Sequence, residues 1–247
     1  MLLAVLWFAP SLFTQYALPV IRPYLPNASA PPSGVDAARH PLGAPPTVTD
    51  TGDYRFMESP DPEQEMIAYD PCRPVRIAVR PDNAPPGGQQ LVEEAIGAVA
   101  AATGLQFVDA GITTEAPSSR REPYQPDRYG RQWAPILIAW SDAGEHPDLA
   151  GDVAGRGGST ARQVDGAPFV YVTGQVVLDA PSLTAMMERP EQVRAVIMHE
   201  LAHVVGLAHV DDPGQLMYGD NVGLTDFAPG DRAGLARLGA GKCAPGL

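Results

Sequence analysis

The chain is short of positive charge: 17 lysines and arginines stand against 29 aspartates and glutamates, for a formal net charge of −12. No basic stripe is available to neutralise phosphates, which excludes nucleic acid as a partner. Internal repeats at solenoid or propeller periods are missing too, so the fold is not a stacked array. Cysteine occurs twice and histidine five times in 247 residues, so thiolate and imidazole chemistry must be carried by very few side chains. The stretch from Met1 to Ile21 holds no charged side chain. Its apolar run from Leu2 to Phe13 reads as a signal-peptide core or as an uncleaved membrane anchor, with no Lys or Arg before it and with Pro10 and Pro19 set to disturb a spanning helix. Either reading places the bulk of the protein outside the cytoplasm, secreted or held on the outer face of the membrane.

The composition is otherwise that of a globular protein, 45% hydrophobic, with proline and glycine together making up about a fifth of the chain. Prolines crowd residues 22–71, which show no sustained apolar period and read as a linker or pro-segment. A single domain is expected from Cys72 to the end. Val75 to Arg80 alternates as a half-buried strand does. Gly88 to Thr103 carries Leu91, Val92, Ala95, Ile96, Val99 and Ala102 at helical spacing and stops before Gly104. Leu105–Asp109 and the apolar run Pro135–Trp140 read as further strands, residues 141–167 as loop, and Phe169–Val172 with Gln175–Asp179 as a hairpin about Thr173-Gly174. Glu191 to Val205 is the clearest helix, with Pro190 before it and Gly206 after it. A last helix is expected over Asp231–Leu238.

Three of the five histidines fall within eleven residues, His199-Glu200-Leu201-Ala202-His203-Val204-Val205-Gly206-Leu207-Ala208-His209. His199 and His203 stand four apart, one above the other on a helix, where both can direct a ring nitrogen at one ion. Three protein ligands with one open position is the pattern of catalytic zinc, so a third ligand is required. On a straight helix His209 would lie about 15 Å along the axis from His199, out of reach. Gly206 can take positive φ and turn the chain so that His209 comes back to the ion. Glu200, beside the first ligand, is placed to serve the attacking water rather than the metal.

This segment matches the H-E-x-x-H-x-x-G-x-x-H signature of the metzincin zinc peptidases, and Gln215-Leu216-Met217-Tyr218 resembles their Met-turn. The order of elements from Cys72 to Cys243 is similar to a matrixin catalytic domain. The resemblance implies an α+β, metzincin-like zincin fold: a mixed twisted sheet, an upstream helix, an active-site helix, a Met-turn and a C-terminal helix. It implies a monomeric zinc-dependent endopeptidase of extracellular proteins, working through a zinc-bound water with Glu200 as general base. His199, His203 and His209 would hold one Zn2+, and Met217 would floor the three imidazoles. Substrate would pair along an edge strand between Arg156 and Val172, with a specificity pocket built by loops around Asn221 to Pro229. The alternative is a catalytically inactive zinc-binding extracellular module, which would have no use for Glu200.

Against the matrixin pattern, only His146 is available upstream for a second, structural zinc, and it is expected on a loop surface. Asp142, Asp148 and Asp152 suggest calcium only weakly, and a solvated acidic loop explains them as well. Asp211 and Asp212 either orient His209 or form a turn with Pro213-Gly214. Tyr218 is expected to pack rather than to hold an oxyanion, and His40 has no assigned role. Cys72 and Cys243 bracket the domain and suit a single disulfide in an exported protein. The rival role for Cys72, the inhibitory cysteine of matrixin pro-segments, requires a P-R-C-G pattern that Asp70-Pro71-Cys72-Arg73-Pro74 lacks.

Overall fold

The computed structural model describes residues 17–21, 28–49, 51–164 and 166–247. Most of the apolar run from Met1 to Ile21, read as signal peptide or anchor, lies outside the described residues. Among those described, no helix is long and apolar enough to cross a membrane.

The fold is α+β. In chain order the elements are β1 (Arg55–Phe56), β2 (Val75–Arg80), α1 (Gly88–Thr103), β3 (Phe107–Ile112), α2 (Pro126–Tyr129), β4 (Ile136–Ser141), β5 (Gly155–Arg162), β6 (Val170–Asp179), α3 (Ala180–Ala185), α4 (Pro190–Val205), β7 (Leu207–Ala208) and α5 (Pro229–Gly239). Five strands form a mixed sheet in the order β3-β2-β4-β6-β5, parallel except for β5, which pairs antiparallel with β6 and forms one edge.

Strand alternation sorts the sheet's side chains into two faces. Ile77, Val79, Ile136, Ile138, Trp140, Val176 and Leu178 point at α1 and α4 and merge with Leu91, Val99, Val193, Ile197 and Leu201 in one core. Every residue of β4 is buried, as expected for the middle of a sheet covered on both faces. The opposite face is covered by the segment 113–134. There Arg121 pairs with Glu115 at 2.8 Å and donates to Thr173 Oγ1 and to the Gly174 and Pro135 carbonyls. Disulfide-bonded Cys72 and Cys243 close the domain, with Cα atoms 5.3 Å apart.

Two sequence expectations change. The hairpin at Thr173-Gly174 does not form: β6 runs unbroken from Val170 to Asp179, because Thr173 and Gly174 pair with Thr160 and Ser159 of β5. Within residues 141–167, expected as loop, lies the eight-residue strand β5. The proline-rich stretch 22–71, read as a linker or pro-segment, contacts the domain along its described length: the Gly34 N–H donates to the Leu247 carbonyl at 2.8 Å and the Ala38 N–H to the Cys72 carbonyl at 2.7 Å, Tyr54 and Phe56 pack against the core, and Ile67 and Tyr69 lie within it. Its prolines prevent regular helix but not burial.

Candidate metal centre

Helix α4 presents His199 and His203 from the same face, and its end is set by Gly206. That residue has φ of 126°, and its N–H bonds back to the Ala202 and His203 carbonyls. A Cβ there would stand 2.8 Å from the Ile67 carbonyl and 2.9 Å from Leu238 Cδ2, so both the backbone conformation and the space require glycine. The chain reverses and β7 delivers His209. Its Nε2 lies 3.0 Å from Nε2 of His199 and 3.0 Å from Nε2 of His203.

The outer ring nitrogens fix the tautomers. His199 Nδ1 lies 2.8 Å from the Leu216 carbonyl, and His203 Nδ1 lies 2.7 Å from the Leu207 carbonyl. A carbonyl only accepts, so each Nδ1 carries the proton and each Nε2 offers a lone pair. Burial lowers the pKa of His199 to about 4 and of His203 to about 3, and lowers that of His209 as well. All three rings are therefore neutral at neutral pH. Two lone pairs aimed at a shared neighbour 3.0 Å away are unfavourable without a cation among them, and three neutral imidazoles are a fitting donor set for zinc with one position left open. The only other cluster of metal-ligand type among the described residues is Asp70, Cys72 and Cys243, whose cysteines are consumed in the disulfide.

Glu200 points from α4 towards β5. Burial raises its pKa to about 7, against the opposing pull of a Gly157 backbone hydrogen bond and the nearby Arg156 charge. The approach is close because of glycine. A Cβ at Gly155 would stand 2.8 Å from Glu200 Cγ, and one at Gly157 would collide with the Glu200 carbonyl. Glycines placed where a strand crosses a helix this tightly are what hid β5 from sequence patterning. Ser159 Oγ adds a hydrogen bond of 2.7 Å to the Val204 carbonyl.

Met217 is buried next to Leu216, whose carbonyl meets His199 Nδ1, and the turn that carries it is tied on two sides. The Val210 N–H donates to the Met217 carbonyl at 3.0 Å. Asp231, fully buried, accepts from the N–H groups of Leu216 at 2.7 Å, Met217 at 3.2 Å and Ala228 at 2.8 Å. Burial raises the Asp231 pKa while these three donors and Arg232 oppose the rise. Sequence reasoning took Asp231 only as the start of a helix. The signal for more was a carboxylate in the first turn, where it can reach backward to free N–H groups.

Other residues fall out differently. Asp212 is a turn former, accepting from Gly214 N–H at 2.8 Å and Gln215 Nε2 at 2.9 Å. Asp211 is exposed and lies 3.5 Å from Arg55. His146 is not on the surface: it is 6% exposed, because the loop folds back through Asp142, whose carbonyl accepts the His146 N–H, and through buried Leu149. Asp142, Asp148 and Asp152 are not brought within ligand distance of one another. A cleft of about 280 Å³ opens beside His199 and Glu200, lined by Ala195, Val196, Leu216, Val222 and Leu224, with Asp152, Arg156 and Asp220 also contributing.

Fold and site together define an α+β domain with a cluster of three histidines that could hold a metal ion and an adjacent buried carboxylate. Comparison with known protein families gives no match, and neither does comparison with curated proteins. Among solved structures the chain is similar to archaemetzincin from Methanopyrus kandleri, with 18% identity and a TM-score of 0.44 over 66% of this chain and 93% of that one.

Proposed function

We propose that the chain is a zinc-dependent endopeptidase of the metzincin type, with a matrixin-like catalytic domain, acting on extracellular proteins. The observation that carries the reading is the convergence of three imidazole nitrogens beside a buried carboxylate that faces the edge strand β5. Zinc bound by His199, His203 and His209 would supply Lewis acidity towards water and towards a carbonyl.

The chain's own residues supply the rest. Glu200, with a pKa of about 7, is poised to take a proton from the attacking water and return it to the leaving amine. The outer side of β5 has no strand partner among the described residues, so its edge N–H and C=O groups, apart from the Gly157 N–H that meets Glu200, can pair with an extended peptide. The neighbouring cleft suits an apolar side chain beside the scissile bond. Export is supported by the uncharged start of the chain and by the disulfide.

The test is digestion of casein and a peptide library, with the cut sites mapped by mass spectrometry. Internal cleavage that a chelator abolishes and added zinc restores is the expected result. Cleavage that survives the chelator would remove the metal from the mechanism. A zinc-loaded chain that cuts nothing would favour the inactive module instead.

A further inference from the structure

The segment ahead of Cys72 pairs with the short arm that leads to the third histidine. β1 pairs antiparallel with β7, Arg55 opposite Ala208 and Phe56 opposite Leu207. The Met57 N–H donates to the carbonyl of Gly206, the turning residue itself, at 2.8 Å. Arg55 reaches Asp211, two residues past His209, at 3.5 Å. The Ile67 carbonyl, later in the same segment, also lies against Gly206.

The strap is anchored at its other contacts as well. Tyr54 and Phe56 pack together with ring centroids 5.6 Å apart. The Arg237 guanidinium stacks over both rings and donates to Tyr54 Oη at 3.0 Å. Asp53 lies directly on Gly230, the neighbour of the Asp231 carboxylate that holds the Met-turn.

The arm from Gly206 to Val210 is anchored through buried Leu207, whose carbonyl meets His203 Nδ1, and is gripped on two further sides. On the inner side Val210 is bonded to the Met217 carbonyl. On the outer side the support is β1. His209 is the most exposed of the three histidines and follows the two-residue strand β7 in the chain rather than standing on a helix. Its position depends on whatever grips β7, whereas His199 and His203 are fixed by α4.

We propose that residues 53–57 are a positioning strap for the metal centre: they hold His209 at the distance from His199 and His203 that one zinc ion requires. This rests on the reading of the three histidines as a zinc site. It assigns the segment the opposite sense to an inhibitory pro-segment, since loosening the strap would weaken metal binding rather than release activity.

The experiment compares zinc affinity, by competition with a chromophoric chelator, in the full chain and in three variants, with the melting temperature of each. Phe56→Ala removes the packing across β7. Met57→Pro removes the donor to the Gly206 carbonyl. Val99→Ala, in the core face of α1, serves as a destabilised control remote from the site. In the strap variants the zinc dissociation constant is expected to rise about 10-fold or more, the scale seen when groups that orient metal ligands are lost. Phe56→Leu should recover most of the affinity, and Val99→Ala should keep it while lowering the melting temperature. Strap variants that melt earlier yet bind zinc as the parent does would overturn the proposal, as would variants that gain peptidase activity at unchanged affinity. A parent chain that fails to bind zinc would overturn the peptidase reading and this one together. A parent that binds zinc without cutting peptides touches only the peptidase reading.

Discussion

Replacing Glu200 by Gln is expected to lower kcat by about 10²- to 10⁴-fold, the range for loss of a positioned acid–base group, while zinc content and KM stay near the parent values. The carboxylate is buried between α4 and β5, and its pKa of about 7 places it between its two protonation states at the pH where the protein would work. Proton transfer is fastest when the base is poised in this way. Glutamine keeps the side chain's size and can still accept the Gly157 hydrogen bond, so packing against Gly155 and Gly157 survives. What it loses is the capacity to carry a proton. Glu200 is not among the convergent metal-ligand nitrogens, so the metal should remain. Steady-state kinetics with a fluorogenic peptide, together with elemental analysis of the same sample, reads both quantities. A variant within severalfold of the parent in kcat would remove Glu200 from the role of base.

The second large effect is structural. Gly206→Val is expected to destabilise the fold by about 4 kcal/mol, the sum of a strained left-handed residue and an overpacked contact at about 1–3 kcal/mol each. At φ of 126° a β-branched residue is strongly disfavoured. Its side chain would also press on the Ile67 carbonyl and Leu238 Cδ2. Relief requires movement of the turn, and the turn positions His209. Thermal unfolding should shift downward by about 10 °C, with zinc affinity falling in the same variant. Unchanged stability would mean that the helix need not end where it does.

Much of this centre was legible in the sequence, for physical reasons. The spacing of His199 and His203 follows from helical geometry alone, and the need for a reversal at Gly206 follows from the distance that His209 would otherwise have to span. Helix α1 begins at Gly88 and ends at Thr103 as its apolar spacing predicts. β5 was hidden because Gly-Arg-Gly-Gly-Ser-Thr-Ala-Arg has no alternation of apolar and polar residues. Its strand form comes from pairing with β6, and its small residues are there to admit α4. Thr173-Gly174 looks like a turn, but the sheet accommodates it within a strand. The strap at residues 53–57 could not be read either, because its partners lie more than 140 residues away in the chain. No local period reports contacts of that range.

The most direct test of the central claim is the zinc content of the purified full chain, set beside that of His209→Ala after dialysis against the same limiting free zinc. The account predicts one zinc per parent chain and near-complete loss in the variant, which retains only the two helical ligands. A variant that keeps the parent's zinc would contradict it, because His209 would then not be part of the metal centre.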